Sequence, residues 1–288
     1  MKVSLKKGSD LRTTVRKTLE AIADDVRNGI GSKQIIVKPN FVSTSVQLAS
    51  THVDQVRGIL DFLCRIRGQR IIIAEAASGN TFEAYEKFGY LALEEEYPVT
   101  LVDLNKGPFQ ILKLSDGEGK HLSLGISSLL FARDTYRISA AKLKTHDTVV
   151  VTLSVKNMAM GCVCDNDRKM VHRSYTVANR IIAGLACCIW PDLAVIDGTV
   201  GMEGDGPVVG SPVHSSVVIS STDALSADRV ACEIMGIIFH KVGYLHYCAE
   251  KNRGEGDLKS IEIVGERLDD CIRPFRLHHR VDEQYGWT

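Results

Sequence analysis

The sequence predicts an α/β fold, a mainly parallel sheet flanked by helices with a small antiparallel hairpin insertion. Short β-branched runs such as Ile35-Ile36-Val37 and Ile71-Ile72-Ile73 alternate with longer segments whose apolar residues recur every three or four positions. The chain has 288 residues, 44% of them hydrophobic, enough to bury a substantial core.

Strands are expected at residues 34–38, 70–74, 99–103, 135–140, 193–197, 215–220 and 260–264, where apolar β-formers are bounded by turn residues. Helices are expected at 11–27, 54–67, 81–88, 175–189, 224–236 and 241–251. In the first, Leu11, Val15, Leu19, Ile22 and Val26 form one apolar stripe. Residues 109–124, interrupted by Asp116-Gly117-Glu118-Gly119, read as the hairpin. With no repeat and no Pro- or Ser-rich linker, residues 1–270 are expected to form one domain. Residues 271–288, with Arg273, Arg276, His278, His279 and Arg280, are expected to form an arm that could serve a homodimer contact.

The 35 basic and 35 acidic side chains cancel, so no global field attracts nucleic acid or an anionic membrane. The uncharged stretch 181–190 is about half of the ~20 residues that a membrane span needs. The first residues turn polar at once and suggest no leader, so a cytoplasmic protein is expected. Cys64, Cys187, Cys188 and Cys232 lie in apolar runs and read as reduced core residues. Cys162 and Cys164 instead flank Val163 in a Gly- and Asp-rich segment, where both thiols could face one side.

Common signatures are absent. Gly204-Asp205-Gly206-Pro207-Val208-Val209-Gly210 superficially resembles a dinucleotide fingerprint, but Pro207 and Pro212 interrupt it and a β-like run follows where a helix N-terminus is needed. What remains is a series of polar segments just after strands, where open parallel sheets collect ligands. They are Lys38-Pro39-Asn40 with Thr51-His52, then Glu75 to Thr81. After them come Lys142, Lys144, Thr145 and His146 with Lys156-Asn157, then Asp197-Gly198 with Glu203 and Asp205, and finally Ser220 to Asp223. Each has a plain explanation as a cap or turn: Thr51 and Asp223 suit N-caps, and Asp197-Gly198 suits a turn. Together, Lys38, Lys142, Lys144, Lys156, Asn40, Asn157 and the helix starts near 52–54 and 223–225 would make a pocket for carboxylate or phosphate. His52, His146, His172 and His214 sit in or beside these segments. Two of them with Asp197, Glu203 or Asp205 could bind a divalent metal, or one could act as a general acid or base, and both readings stay open.

The order of these segments resembles the family catalogued as domain of unknown function 362. The residues that carry the likeness are Lys38-Pro39-Asn40, Thr51-His52, Lys142 to His146, Val155-Lys156-Asn157 with Gly161 and His172, Asp197-Gly198, Glu203 to Pro207, and Ser221 to Asp228. Members often occur in iron–sulfur proteins, so the resemblance implies a cluster that Cys162 and Cys164 would help ligate. The ferredoxin run of Cys-x-x-Cys-x-x-Cys is missing. A more remote likeness to the nickel-pincer type of lactate racemase would make Lys156 the attachment point and His172 a nickel ligand.

The resulting expectation is an enzyme that takes a small anionic substrate or phosphate-bearing cofactor. His146, His172 and Lys156 are the catalytic candidates, and Lys38, Asn40, Thr51, His52, Lys142, Lys144 and Asn157 the anion-binding ones. Asp197, Glu203, Asp205, Cys162 and Cys164 are the metal candidates, with the cofactor open between a divalent metal and an iron–sulfur cluster. The alternatives are an iron–sulfur electron-transfer component and a non-catalytic metabolite-binding protein.

Overall fold

The computed structural model describes residues 1–288. Its strands are β1 (Lys2–Lys7), β2 (Gln34–Lys38), β3 (Ile71–Glu75), β4 (Val99–Asp103), β5 (Phe109–Ser115), β6 (His121–Ser127), β7 (Thr135–His146), β8 (Val150–Thr152), β9 (Leu193–Glu203), β10 (Ser211–Val213), β11 (Val217–Ser221) and β12 (Glu262–Gly265). One sheet runs β12-β1-β11-β9-β7-β2-β3-β4, with β8 added to β7 and β10 to β9; β5 and β6 form the separate hairpin. Pairings among β4, β3, β2, β7 and β9 are parallel, whereas β11 runs against both β9 and β1. The fold is therefore α/β with a mainly parallel sheet.

Strands with apolar side chains on both faces need cover on both sides. Ile35 and Val37 belong to one core and Ile36 to the other, as the two-residue period of a strand requires. The first core lies under α1 (Leu11–Glu20), α2 (Ala23–Ile30), α3 (Val53–Ile66) and α4 (Thr81–Lys87). A short α5 (Leu93–Glu96) precedes β4, and α6 (Ser128–Phe131) follows the hairpin. The second core lies under α7 (Ser154–Gly161), α8 (Asp165–Val171), α9 (Tyr175–Cys188), α10 (Ala224–Ile234) and α11 (Gly243–Glu250). A last turn, α12 (Val281–Gln284), sits in the C-terminal segment. Phe275, Gln284 and Trp287 of that segment are buried, and Gln284 accepts the Val150 N–H at 3.0 Å.

Three differences from the sequence reading matter. The first helix breaks at Ala21-Ile22 into α1 and α2, while Ile22, Val26 and Ile30 stay on the core. β7 and β9 run well beyond the apolar segments that mark them, through Lys142-Leu143-Lys144-Thr145-His146 and past Asp197-Gly198. Asp197-Gly198 is thus inside a strand and not a turn, because the Asp197 carboxylate meets Lys142 Nζ at 3.2 Å across the β7–β9 pair. Finally, α7 is a wholly buried helix without a cap of its own. The Asp228 carboxylate, from α10, accepts its first N–H groups from Ser154 at 2.8 Å and Val155 at 3.0 Å.

Candidate functional site

Where β2, β3 and β7 end, α7 and α8 close over a cavity of about 370 Å³. Its floor is a hydrogen-bonded polar chain. Lys144 Nζ donates to Asn40 Oδ1 at 2.7 Å, and Asn40 Nδ2 donates to Asn157 Oδ1 at 3.0 Å. Asn157 Oδ1 also accepts from Lys38 Nζ at 3.1 Å, and Lys38 Nζ bonds Glu75 Oε2 at 2.7 Å and the Pro39 carbonyl at 2.8 Å. Glu75 Oε1 takes the Phe41 N–H at 3.1 Å, and Asn157 Nδ2 donates to Ser139 Oγ at 3.0 Å. Every member has its partner, so this buried chain holds its geometry without a ligand. Gly161 is part of that fit, since a Cβ there would lie 1.6 Å from Lys38 Cε.

Lys156 is different. It is 6% exposed, lines the cavity, and its Nζ forms no hydrogen bond or ion pair within the protein. Burial, reinforced by Arg168 and Lys38 and opposed by Asp147, lowers its ammonium to about 7. Nearby Lys144 is also held well below the ordinary lysine range, by burial and then by Lys156 and Lys142.

Two imidazoles complete this wall, with ring centroids 5.6 Å apart and planes 26° from parallel. His146 Nδ1 accepts the Thr148 N–H at 3.0 Å, which leaves the neutral ring's proton on Nε2. Asp147 Oδ1 stands 3.1 Å from the same Nδ1 without forming a hydrogen bond to it. His172 takes the opposite tautomer, because Nδ1–H donates to the Arg168 carbonyl at 3.1 Å and Nε2 is left as a free acceptor. Burial, and after it the Lys156 charge, lowers His146 well below 6.5 and His172 to about 4. Around neutral pH the pair presents one N–H donor and one bare nitrogen.

Arg168 reaches the cavity from α8. Its Nε donates to the Val163 carbonyl at 3.1 Å, and Nη1 lies 3.6 Å from Asp165 Oδ1. Nη2 is buried with no acceptor. A buried donor without a partner is uncommon in folded proteins, and this one belongs to a residue that lines the cavity.

Of the residues expected at the site, Lys38, Asn40, His146, Lys156, Asn157 and His172 line this cavity. Lys144 lies behind it through Asn40. Thr51 is a support: its hydroxyl accepts the Asn40 N–H and donates to the Ala140 carbonyl, both at 2.8 Å. His52 caps α3 through Nδ1 and is half-buried, because it sits before the first turn and not in the pocket. Lys142 faces Asp197, so a presumed anion ligand and a presumed metal ligand neutralise each other. The helix start near 223–225 does not line the cavity either: β11 runs antiparallel to β9, and Asp223 spends its carboxylate on the N–H groups of Ser226 and Glu255. Glu75 and Ser78, from the strand-end segment 75–81, also line the cavity, as do Asp165, Arg168 and Lys169, which the sequence reading did not single out. Asp165 and Arg168 are spaced as an i,i+3 helical pair, the one signal that could have found them.

The expected metal ligands do not converge. Asp197 accepts from Thr199 and pairs with Lys142, and Glu203 accepts the Arg276 N–H. Asp205 instead meets His278 and His279, the one group of three such side chains with ligand atoms all within 4.8 Å. His279 Nδ1 lies 2.9 Å from Asp205 Oδ1, whereas His278 Nδ1 accepts the Arg280 N–H, which keeps the ring proton on Nε2, the nitrogen facing Asp205. That tautomer leaves His278 no bare nitrogen on the Asp205 side for a cation, and only His279 is within hydrogen-bond distance of Asp205. The cysteines do not fit an iron–sulfur cluster. The Cys162 thiol is buried, donates to the Ala159 carbonyl and is pushed up to about 12 by burial. Cys164 packs instead by Gly125 and Asp167. No group of three or more Cys, His, Asp or Glu ligand atoms gathers at either thiol.

The parallel α/β sheet with a polar cavity at its strand ends, reached in this order of segments, defines the class of protein. The chain matches the family described as "Domain of unknown function (DUF362)" over residues 35–233, and it belongs to that family. It is also 26% identical over 209 residues to a thylakoid-associated protein of Synechocystis, an alignment covering 70% of this chain and 63% of that protein. The chain thus spans less than two thirds of that relative. No helix of this chain is long and apolar enough to cross a membrane.

Proposed function

We propose that this protein is an enzyme that binds a small anionic molecule in the cavity closed by α7 and α8, with Lys156, His146 and His172 at the reacting end. The observation that carries the reading is that two basic residues with donors left without a protein partner, Lys156 at Nζ and Arg168 at Nη2, line one cavity. A carboxylate or phosphate satisfies both through charge-assisted hydrogen bonds, and the guanidinium fork suits either group. The matched imidazole tautomers supply a proton donor and a proton acceptor beside them. That arrangement exceeds what simple retention of a metabolite needs. In the nickel-pincer comparison, Lys156 and His172 do share the cavity, and intact mass of the purified protein tests whether Lys156 carries an attached group.

The test is a panel of pyruvate, oxalate, inorganic phosphate and ribose phosphate, scored by the rise in melting temperature of the full chain. At least one member is expected to raise it in the wild type and to lose most of its effect in Lys156→Met and Arg168→Met. A ligand whose effect survives both substitutions places the binding site elsewhere and overturns the reading. Turnover of a ligand that is abolished in His146→Ala while binding persists separates an enzyme from a binding protein.

A further inference from the structure

We propose that Lys156 captures the carbonyl carbon of a small oxo-acid as an imine, with Arg168 holding the acid's carboxylate. This deepens the functional reading above and rests on it. A lysine that served only as a counter-ion would be expected to pair with an acceptor, as Lys38 and Lys142 do in the same fold at 2.7 Å and 3.2 Å from carboxylates. Lys156 has none, though it is buried and shares one cavity with Lys38 and Arg168. Loss of water, and after it repulsion from Arg168 and Lys38, favours its neutral amine, the nucleophilic form. The acid that acts on it, Asp147, is about half exposed and forms no hydrogen bond with it.

The two imidazoles suit the proton movements of imine formation. As the amine nitrogen adds to the carbonyl carbon, the C=O π bond opens, the nitrogen gives a proton to the bare Nε2 of His172, and the resulting imidazolium passes it to the oxygen, to which His146 Nε2–H donates a hydrogen bond. In the second stage the nitrogen lone pair forms C=N as the C–O bond breaks; His172 takes the nitrogen's other proton and delivers it to the departing oxygen, which leaves as water. Both rings end in their starting tautomers. The sum is amine plus carbonyl giving C=N plus water, with no oxidant or reductant. Once protonated, the C=N acidifies the adjacent C–H, and His172 Nε2 is the acceptor placed on the same wall.

Two features of the cavity set the substrate class. Arg168 lines the cavity with one guanidinium nitrogen, Nη2, unpaired, so that a turn of the side chain offers it to one carboxylate, and a 370 Å³ space excludes large molecules. The floor donors and acceptors are already paired among Lys38, Asn40, Asn157 and Glu75, so they demand no further polar groups from the ligand. A short oxo-acid meets these conditions.

The experiment is reductive trapping. The full chain is incubated with pyruvate and sodium cyanoborohydride near neutral pH, digested, and its peptides weighed. Expected is a carboxyethyl-lysine at Lys156, formed in advance of every other lysine. In Arg168→Met the same adduct is expected at a half-saturating pyruvate concentration at least about tenfold higher, the effect of one lost charge-assisted hydrogen bond. Adducts spread over surface lysines with Lys156 untouched overturn the proposal. If pyruvate nevertheless raises the melting temperature in a Lys156- and Arg168-dependent way, only the imine falls and the anion site stands. If pyruvate, oxalate, inorganic phosphate and ribose phosphate all fail to bind and no adduct forms at Lys156, both fall.

Discussion

Replacing Lys156 by Met isolates the energetic signature of the cavity. Burial holds the ammonium at about 7 against 10.5 for a free lysine. Each power of ten in that proton equilibrium is about 1.36 kcal/mol, so charging Lys156 in the folded state costs roughly 5 kcal/mol. The sign follows from proton counts. Between the folded and unfolded values the unfolded chain binds more protons, so stability rises with pH across that window. Below the folded value both states are protonated and the full cost is present. Methionine fills nearly the same volume, and no protein hydrogen bond is lost, because Nζ makes none. In urea unfolding near pH 6, Lys156→Met is therefore expected to be more stable than wild type by about 2–5 kcal/mol, a gain that shrinks to about 1 kcal/mol by about pH 10. A difference that does not change with pH, or a less stable variant at acid pH, would refute the reasoning. The groups that face Lys156, namely Asp147, Arg168, Lys38, His146 and His172, are present in both proteins and cancel to first order.

Other expectations follow from single contacts. Asp228→Ala removes both N–H acceptors at the start of α7 and is expected to cost about 2–4 kcal/mol in urea unfolding, with Asp228→Asn costing less. An alanine cost under half a kcal/mol would mean that α7 needs no such cap. Gly161→Ala drives a methyl group into Lys38 and is expected to lower stability by about 3 kcal/mol or more through overpacking and strain on the Lys38–Glu75 pair. It should also abolish any ligand-induced rise in melting temperature, and a fully stable, ligand-responsive variant would contradict the packing described. Nitrogen NMR of the imidazoles should find the proton on Nε2 of His146 and Nδ1 of His172 at neutral pH, with His172 gaining its second proton only at about 4. The reverse tautomers would remove the donor–acceptor pair.

The α/β class and most strands are legible because Ile35-Ile36-Val37, Ile71 to Ile73 and Leu193 to Ile196 are apolar on both faces, and that pattern arises only where helices cover a sheet twice. The same logic hides the continuation of β7 and β9. Lys142, Lys144 and Asp197 look like solvent residues, yet Lys142 and Asp197 bury each other and Lys144 is taken up by Asn40 and the Ala49 carbonyl. Pairing between residues 55 positions apart leaves no local trace. For the same reason α7 is invisible, since its cap comes from Asp228 in another helix. At the site, the order of strand-end segments pointed to Lys38, Asn40, His146, Lys156, Asn157 and His172, all of which line one cavity. It also pointed to the helix start near Asp223, because strand direction cannot be read from an apolar run. Arg168 escaped because an arginine three residues from an aspartate reads as an ordinary solvated helix pair. Only the fold reveals that its Nη2 is buried and unpaired.

The most direct test of the central claim is calorimetric titration of wild type and Arg168→Met with pyruvate and with inorganic phosphate, at low and moderate salt. Saturable one-to-one binding of at least one anion is expected, weakened at least about tenfold in the variant, with melting curves showing both proteins folded at the titration temperature. Equal affinity in the two proteins, or no binding of either anion to the wild type, would contradict a cavity whose unpaired cationic donors exist to hold an anion.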